Sequence, residues 1–201
     1  MLDKEAVSKL YNKTGLSSSE IARKYNISVW RVISFMRRSG LKRRTPAETL
    51  RIQFYKKPLT FNKLRVLSSE QKKLLIAGLM LYWAEGSKAS KYTVDFANSD
   101  EKMLLIFLKM LRGIYNVNED KFRVYIYCFS NQDAGELIEF WSKKLDISKN
   151  KFTKPYIQKN INENKTDKMP FGLIHIRYSD MKLHKQIMTD IGIMGSKLLS
   201  N

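Results

Sequence analysis

Residues 74–88 read LLIAGLMLYWAEGSK, and this stretch decides the fold. Leu74–Ala84 is eleven apolar residues in a row, and Ser68-Ser69-Glu70-Gln71 just upstream pairs a capping serine with a glutamine three positions on. The spacing predicts a helix reaching about Ala84 and apolar nearly all round, which must pack against something on every side. Ala77 and Gly78 are small enough to admit another helix backbone. A bilayer span takes roughly 20 residues, so the run is too short to be one. The helix closes on Glu85-Gly86. An acid in the last turn faces the negative end of the helix dipole, at a cost of a few tenths to ~1 kcal/mol. A lysine is the expected residue there, and a bound cation would reverse the penalty.

Downstream, Tyr92–Ala97 alternates as a strand, and Asn98 or Ser99 caps a helix through Leu111. Phe122–Phe129 alternates again. Phe122, Val124, Ile126 and Cys128 are assigned inward because Arg123 shares the other face. That other face, Arg123, Tyr125 and Tyr127, is cationic, hydrogen-bonding and aromatic, and suits nucleic acid. Asp133–Leu145 reads as a helix, and Phe152–Gln158 as an edge strand interrupted at Pro155. Asn160–Lys168 reads as a mobile polar loop within reach of DNA, Phe171–Tyr178 as a strand and Asp180–Ile191 as a closing helix. Helices alternating with amphipathic, antiparallel-type strands give an α+β fold with one solvated sheet face.

Upstream, Asp3–Asn12 has helical spacing, Ser17 and Glu20 form a capping box for a helix over Ser18–Tyr25, and Val29–Ser39 is a third helix ended by Gly40. The phrase SSEIARKYNISVWRVISFMRRSG closely resembles the helix-turn-helix modules of many DNA-binding proteins. The resemblance implies that Ser28–Arg38 is a recognition helix, with Ser28, Trp30, Arg31, Ser34, Arg37 and Arg38 facing a major groove.

The chain has 201 residues and a formal charge of +18. Residues 1–66 hold 16 basic and 4 acidic residues, against 21 and 15 in the remainder, so one third of the chain carries two thirds of the excess. Lys42, Arg43, Arg44, Arg51, Lys56 and Lys57 stand in a run that has Glu48 as its one acid, as a phosphate-tracking segment would. The expected organisation is a helix-turn-helix domain over residues 1–45, a basic linker over 46–67 and an α+β domain over 68–201. A 43% hydrophobic content excludes a disordered basic tail. One cysteine, Cys128, excludes a disulfide framework, and two histidines, His175 and His184, leave no histidine-rich metal site. There is no glycine-rich phosphate loop. The N-terminus lacks the apolar core of a signal peptide, so an intracellular, cytoplasmic protein without membrane attachment is expected, with an anionic polymer as partner.

The stretch LLIAGLMLYWAEGSK resembles the LAGLIDADG motif of a class of homing endonucleases, keeping Ala77-Gly78-Leu79 and Ala84-Glu85-Gly86. It departs in the residues inserted between those halves and in Glu for the usual Asp. The following YTVDFANSDEKMLLIFLKMLR and LIEFWSKKLDI…FTKPYI also resemble that family, so the likeness covers about residues 68–190. It implies an antiparallel saddle sheet backed by helices and a homodimer formed through the motif helix at Ala77, Gly78 and Leu81. It also implies Mg²⁺ held at Glu85, with Lys88, Lys154, Arg177 and Lys182 as candidate catalytic cations. The implied activity is hydrolysis of double-stranded DNA at pseudo-palindromic sites. A transcription regulator without catalysis, and an RNA-binding intron-splicing cofactor, are the alternatives on the same fold.

Overall fold

The computed structural model describes residues 2–159 and 169–200. The loop expected at Asn160–Lys168 lies outside them. The chain forms two compact units, Met1–Pro58 and Leu59–Asn201.

In the first unit, α1 (Lys4–Ser8) runs into a π-helical turn at Lys9–Lys13 and is followed by α2 (Ser18–Tyr25), α3 (Val29–Arg38) and α4 (Pro46–Lys56). Each α-helix starts on a side-chain cap. Asp3 accepts from Ala6, Ser17 and Glu20 form a reciprocal box, Ser28 accepts from the Arg31 amide, and Thr45 with Glu48 forms a second box ahead of Pro46. Asn26 takes a left-handed conformation with φ 51°, which turns the chain between α2 and α3. The core is Val7, Tyr11, Ile21, Ala22, Val32 and Met36.

The span 46–67, expected as a linker, is divided between the two units. Its first part is α4, whose Lys56 Nζ donates to the Gly15 carbonyl at 2.9 Å and whose Ile52 packs at Gly15. The basic residues of this stretch hide a helix, because a capping box and a proline at N1 start one whatever the charge of the residues after them.

Its second part belongs to the second unit. Asn62 and Leu64 donate backbone hydrogen bonds to Tyr115 and Ile114, and Lys63 pairs with Asp190 at 2.6 Å. The unit then runs α5 (Ser69–Glu85), β1 (Val94–Asn98), α6 (Glu101–Gly113), β2 (Phe122–Phe129), α7 (Ala134–Leu145), β3 (Tyr156–Gln158), β4 (Leu173–Tyr178) and α8 (Met181–Leu199). The fold is α+β with one four-stranded sheet of order β1-β4-β2-β3. The inner sheet face, Val94, Phe96, Phe122, Val124, Ile126, Cys128, Ile174, Ile176 and Tyr178, is buried with Leu79, Tyr82, Phe107, Trp141 and Ile187 of the helices.

The sheet is mixed rather than antiparallel. β4 pairs antiparallel with both β1 and β2, but β3 runs parallel to β2 with Tyr127 opposite Tyr156. The reason is the connection: α7 carries the chain back to the end where β2 began, so the next strand must run the same way. Among the described residues no helix is long and apolar enough to cross a membrane.

Candidate nucleic-acid interface

The helix α5 is apolar all round, yet it is buried on one side only. Gly78, Leu79 and Tyr82 face inward. A Cβ on Gly78 would collide with the Met110 side chain of α6. Gly78, expected between two copies, therefore serves packing within one chain, where the missing side chain lets α6 come close. Leu81 is likewise half-buried against its own core, whereas Ala77 is exposed. The opposite face carries Ile76, Ala77, Met80, Trp83 and Ala84, a helical stripe in which Ile76, Met80 and Trp83 are 49%, 44% and 48% exposed.

Glu85 ends this stripe. It is exposed and has no hydrogen bond or ion pair among the described residues. The cation expected at the end of the helix is Lys88, which reaches back to donate to the carbonyls of Tyr82 at 3.0 Å and Trp83 at 2.6 Å. It gives the Trp83 carbonyl a donor, adds a second donor to the Tyr82 carbonyl, which already accepts from the Gly86 amide at 2.9 Å, and opposes the dipole. Helix electrostatics thus require no metal, and Lys88 caps a helix rather than standing free as a catalytic cation. A Cβ on Gly86 would strike the Tyr82 ring, so glycine alone allows the chain to turn here. Gly86 then bridges Phe96, and Ser87 donates to the Asp95 carbonyl at 2.8 Å, hooking the end of α5 onto the free edge of β1. Burial pushes the Tyr82 hydroxyl up to about 12, so it stays protonated and donates to the Ser87 carbonyl.

The outer sheet face carries exposed and half-buried side chains. Its residues form three cross-strand rows: Asp95, Arg177 and Arg123; Ala97, His175 and Tyr125; Leu173, Tyr127 and Tyr156. Asp95 accepts from Arg177 Nε at 2.9 Å and contacts His175 Nδ1 at 3.0 Å. Burial raises the Asp95 carboxyl, but the hydrogen bond and charge of His175, with the Arg177 charge, outweigh it and hold the group below the usual carboxylate range. The Arg177 guanidinium lies 5.0 Å over the Tyr125 ring, and Tyr127 stacks on Tyr156 at 5.1 Å. Arg123 is exposed and donates to the Asp120 and Phe122 carbonyls.

The candidate catalytic cations are not gathered at Glu85. Lys154 leads into β3, at the opposite edge of the sheet from the β1 edge that receives the end of α5. Lys182 is half-buried in the first turn of α8, and Arg177 belongs to Asp95. Among the described residues no three metal-ligating side chains come together. One chain thus supplies the single carboxylate Glu85, which suits Mg²⁺ only as part of a shared shell, since that ion takes one or two carboxylates beside water and phosphate oxygens.

In the first unit, Trp30 is 72% exposed, and Arg31, Arg37, Arg38, Lys42, Arg43, Arg51 and Lys57 are also on the surface. Four of the residues expected to contact DNA are engaged within their own unit. Ser34 is buried, because the inward face of α3 is wide enough to include it. Arg44 is folded into its own unit: its guanidinium lies 4.0 Å over the Tyr11 ring, Nη2 donates to the Leu16 carbonyl, and the Arg44 amide donates to the Tyr11 hydroxyl. Lys56 is tied to Gly15, and Ser28 is spent on the α3 cap.

Sequence reasoning missed Asp95, His175 and Tyr156. Asp95 and His175 lie 80 positions apart, and only the β1–β4 register brings them together. The alternation of β4 placed His175 with Arg177 on one face, which was the one available signal. No family model, no curated protein and no solved structure matches this chain.

Proposed function

We propose that the chain is a double-stranded-DNA-binding protein of the LAGLIDADG kind with an N-terminal helix-turn-helix, acting as a homodimer in the cytoplasm and cutting DNA at paired Glu85 carboxylates. The observation that carries the reading is the exposed apolar stripe of α5 with the unpartnered Glu85 at its end. Stripe against stripe is an isologous contact, and a twofold axis through it brings Glu85 near its mate. Two such carboxylates would hold Mg²⁺, which activates water and stabilises the leaving oxygen. The outer sheet face, with Arg123, Tyr125, Arg177, Tyr127 and Tyr156, supplies cations and rings to the duplex. In the first unit, α2 and α3 act as the helix-turn-helix. Trp30 and Arg31 meet base edges at the start of α3, while Arg37, Arg38, Lys42 and Arg43 hold phosphates.

A second reading, a DNA-binding regulator without cleavage, draws support from Lys88, which already neutralises the end of α5. The test is incubation of the full chain with a duplex library and Mg²⁺ beside Glu85→Gln. Cutting by the wild type and not by the variant is expected. Tight site-specific binding without cutting by either leaves the regulator. Cutting by both removes Glu85 from the chemistry.

A further inference from the structure

The strand residues of the outer sheet face include one acid, Asp95, and a carboxylate on a surface meant for phosphates is repulsive unless it has a task. The geometry states the task. One oxygen of Asp95 meets His175 Nδ1 at 3.0 Å, so the carboxylate cannot rotate freely. The other takes Arg177 by Nε at 2.9 Å, the inner edge of the guanidinium. Tyr125 lies under the guanidinium at 5.0 Å, and the Tyr125 and His175 rings meet edge to face at 5.7 Å. The fork is thus fixed at its edge and at its face. Its two terminal amino groups have no partner among the described residues, and the side chain is 41% exposed. A planar pair of donors held in place matches the O6 and N7 acceptors of guanine in the major groove.

We infer that Arg177 reads a guanine, and that Asp95 is the positioning residue that fixes it for that contact, with His175 locking Asp95. This rests on the double-stranded-DNA reading given above. Rigidity is what a phosphate contact would not need, because a phosphate accepts hydrogen bonds from many directions.

Selection of binding sites from a randomised duplex library by the full-length wild type, Arg177→Met and Asp95→Asn tests both statements. The wild type is expected to fix guanine at one position, repeated by symmetry in a palindromic site. In both variants the preference for guanine over adenine there should fall by about tenfold. Replacing that guanine by 7-deazaguanine should weaken the wild type about tenfold and leave Arg177→Met unchanged. Retained guanine preference in Arg177→Met, with a uniform loss of affinity, would show a phosphate contact and overturn the inference. Full preference in Asp95→Asn overturns the positioning role. If Asp95→Asn does not fold, Tyr125→Leu, which removes the ring beneath the fork, takes its place with the same expected outcome. A wild type that selects no site overturns the DNA reading itself, a result separate from the other two.

Discussion

Lys88 and Asp95 show how single side chains settle questions that spacing left open. An acid at the end of α5 called for a cation, and the cation is three residues further on, folded back onto the helix. Lys88→Ala should lower stability by about 1 kcal/mol, through the Trp83 carbonyl left without a donor and the charge lost from the helix end, measured by urea denaturation. Lys88→Arg, which keeps charge and donors, should recover part of it. Asp95 gives a pH signature. Its folded carboxyl titrates below its unfolded value near 3.9, so its stabilisation is present above that value and lost as pH falls through the folded one. The stability gap between wild type and Asp95→Asn, measured by denaturation at a series of pH values, should therefore shrink as pH falls below about 4. A gap unchanged at pH 3 would mean that the carboxylate charge contributes nothing.

At the scale of elements, the exposed stripe of α5 makes the sharpest demand. Trp83→Lys or Met80→Glu should leave the circular dichroism of the fold intact and convert a dimer into a monomer in sedimentation, because neither side chain is in the core. A monomeric wild type would remove the paired-Glu85 scheme. The elements themselves were unevenly legible. The alternation in Phe122–Phe129 gave the correct inner face of β2, and the caps at Ser17 and Ser68 marked true helix starts, since these signals are local. The direction of β3 was hidden, because it depends on where α7 returns the chain. Helix α4 was hidden differently: Thr45-Pro46 and Glu48 announced it, but the surrounding charge drew the eye to phosphates. Gly78 was read rightly as a site of close approach and wrongly as to partner, since sequence cannot say whether the approaching helix belongs to the same chain.

At the scale of the molecule, each unit has its own core, so each should fold when expressed alone. The first unit makes the finer prediction. A fragment of residues 1–58 should melt at a higher temperature than one of residues 1–45, since the shorter piece lacks Ile52 and Lys56 against Gly15. Equal melting temperatures in calorimetry would make α4 a passenger. The functional surfaces were half-legible for a related reason. Arg37, Arg38 and Arg43 announce themselves by charge and are exposed, whereas Arg44, identical by charge, is withdrawn against Tyr11, 33 positions earlier in sequence.

The way the sheet ends has a consequence for how copies of this chain can meet. On one side the edge of β1 is occupied by Gly86 and Ser87; on the other, β3 is three residues long and is preceded by Pro155, which has no amide proton to offer. Neither side offers a long template on which another molecule's strand could add, which is the usual route to fibres and open-ended aggregates. In the dimer proposed above the helical stripe is the contact, and a contact between identical patches about a twofold axis is complete at two. Concentrated solutions of the protein should therefore saturate at a pair, with no growth beyond it.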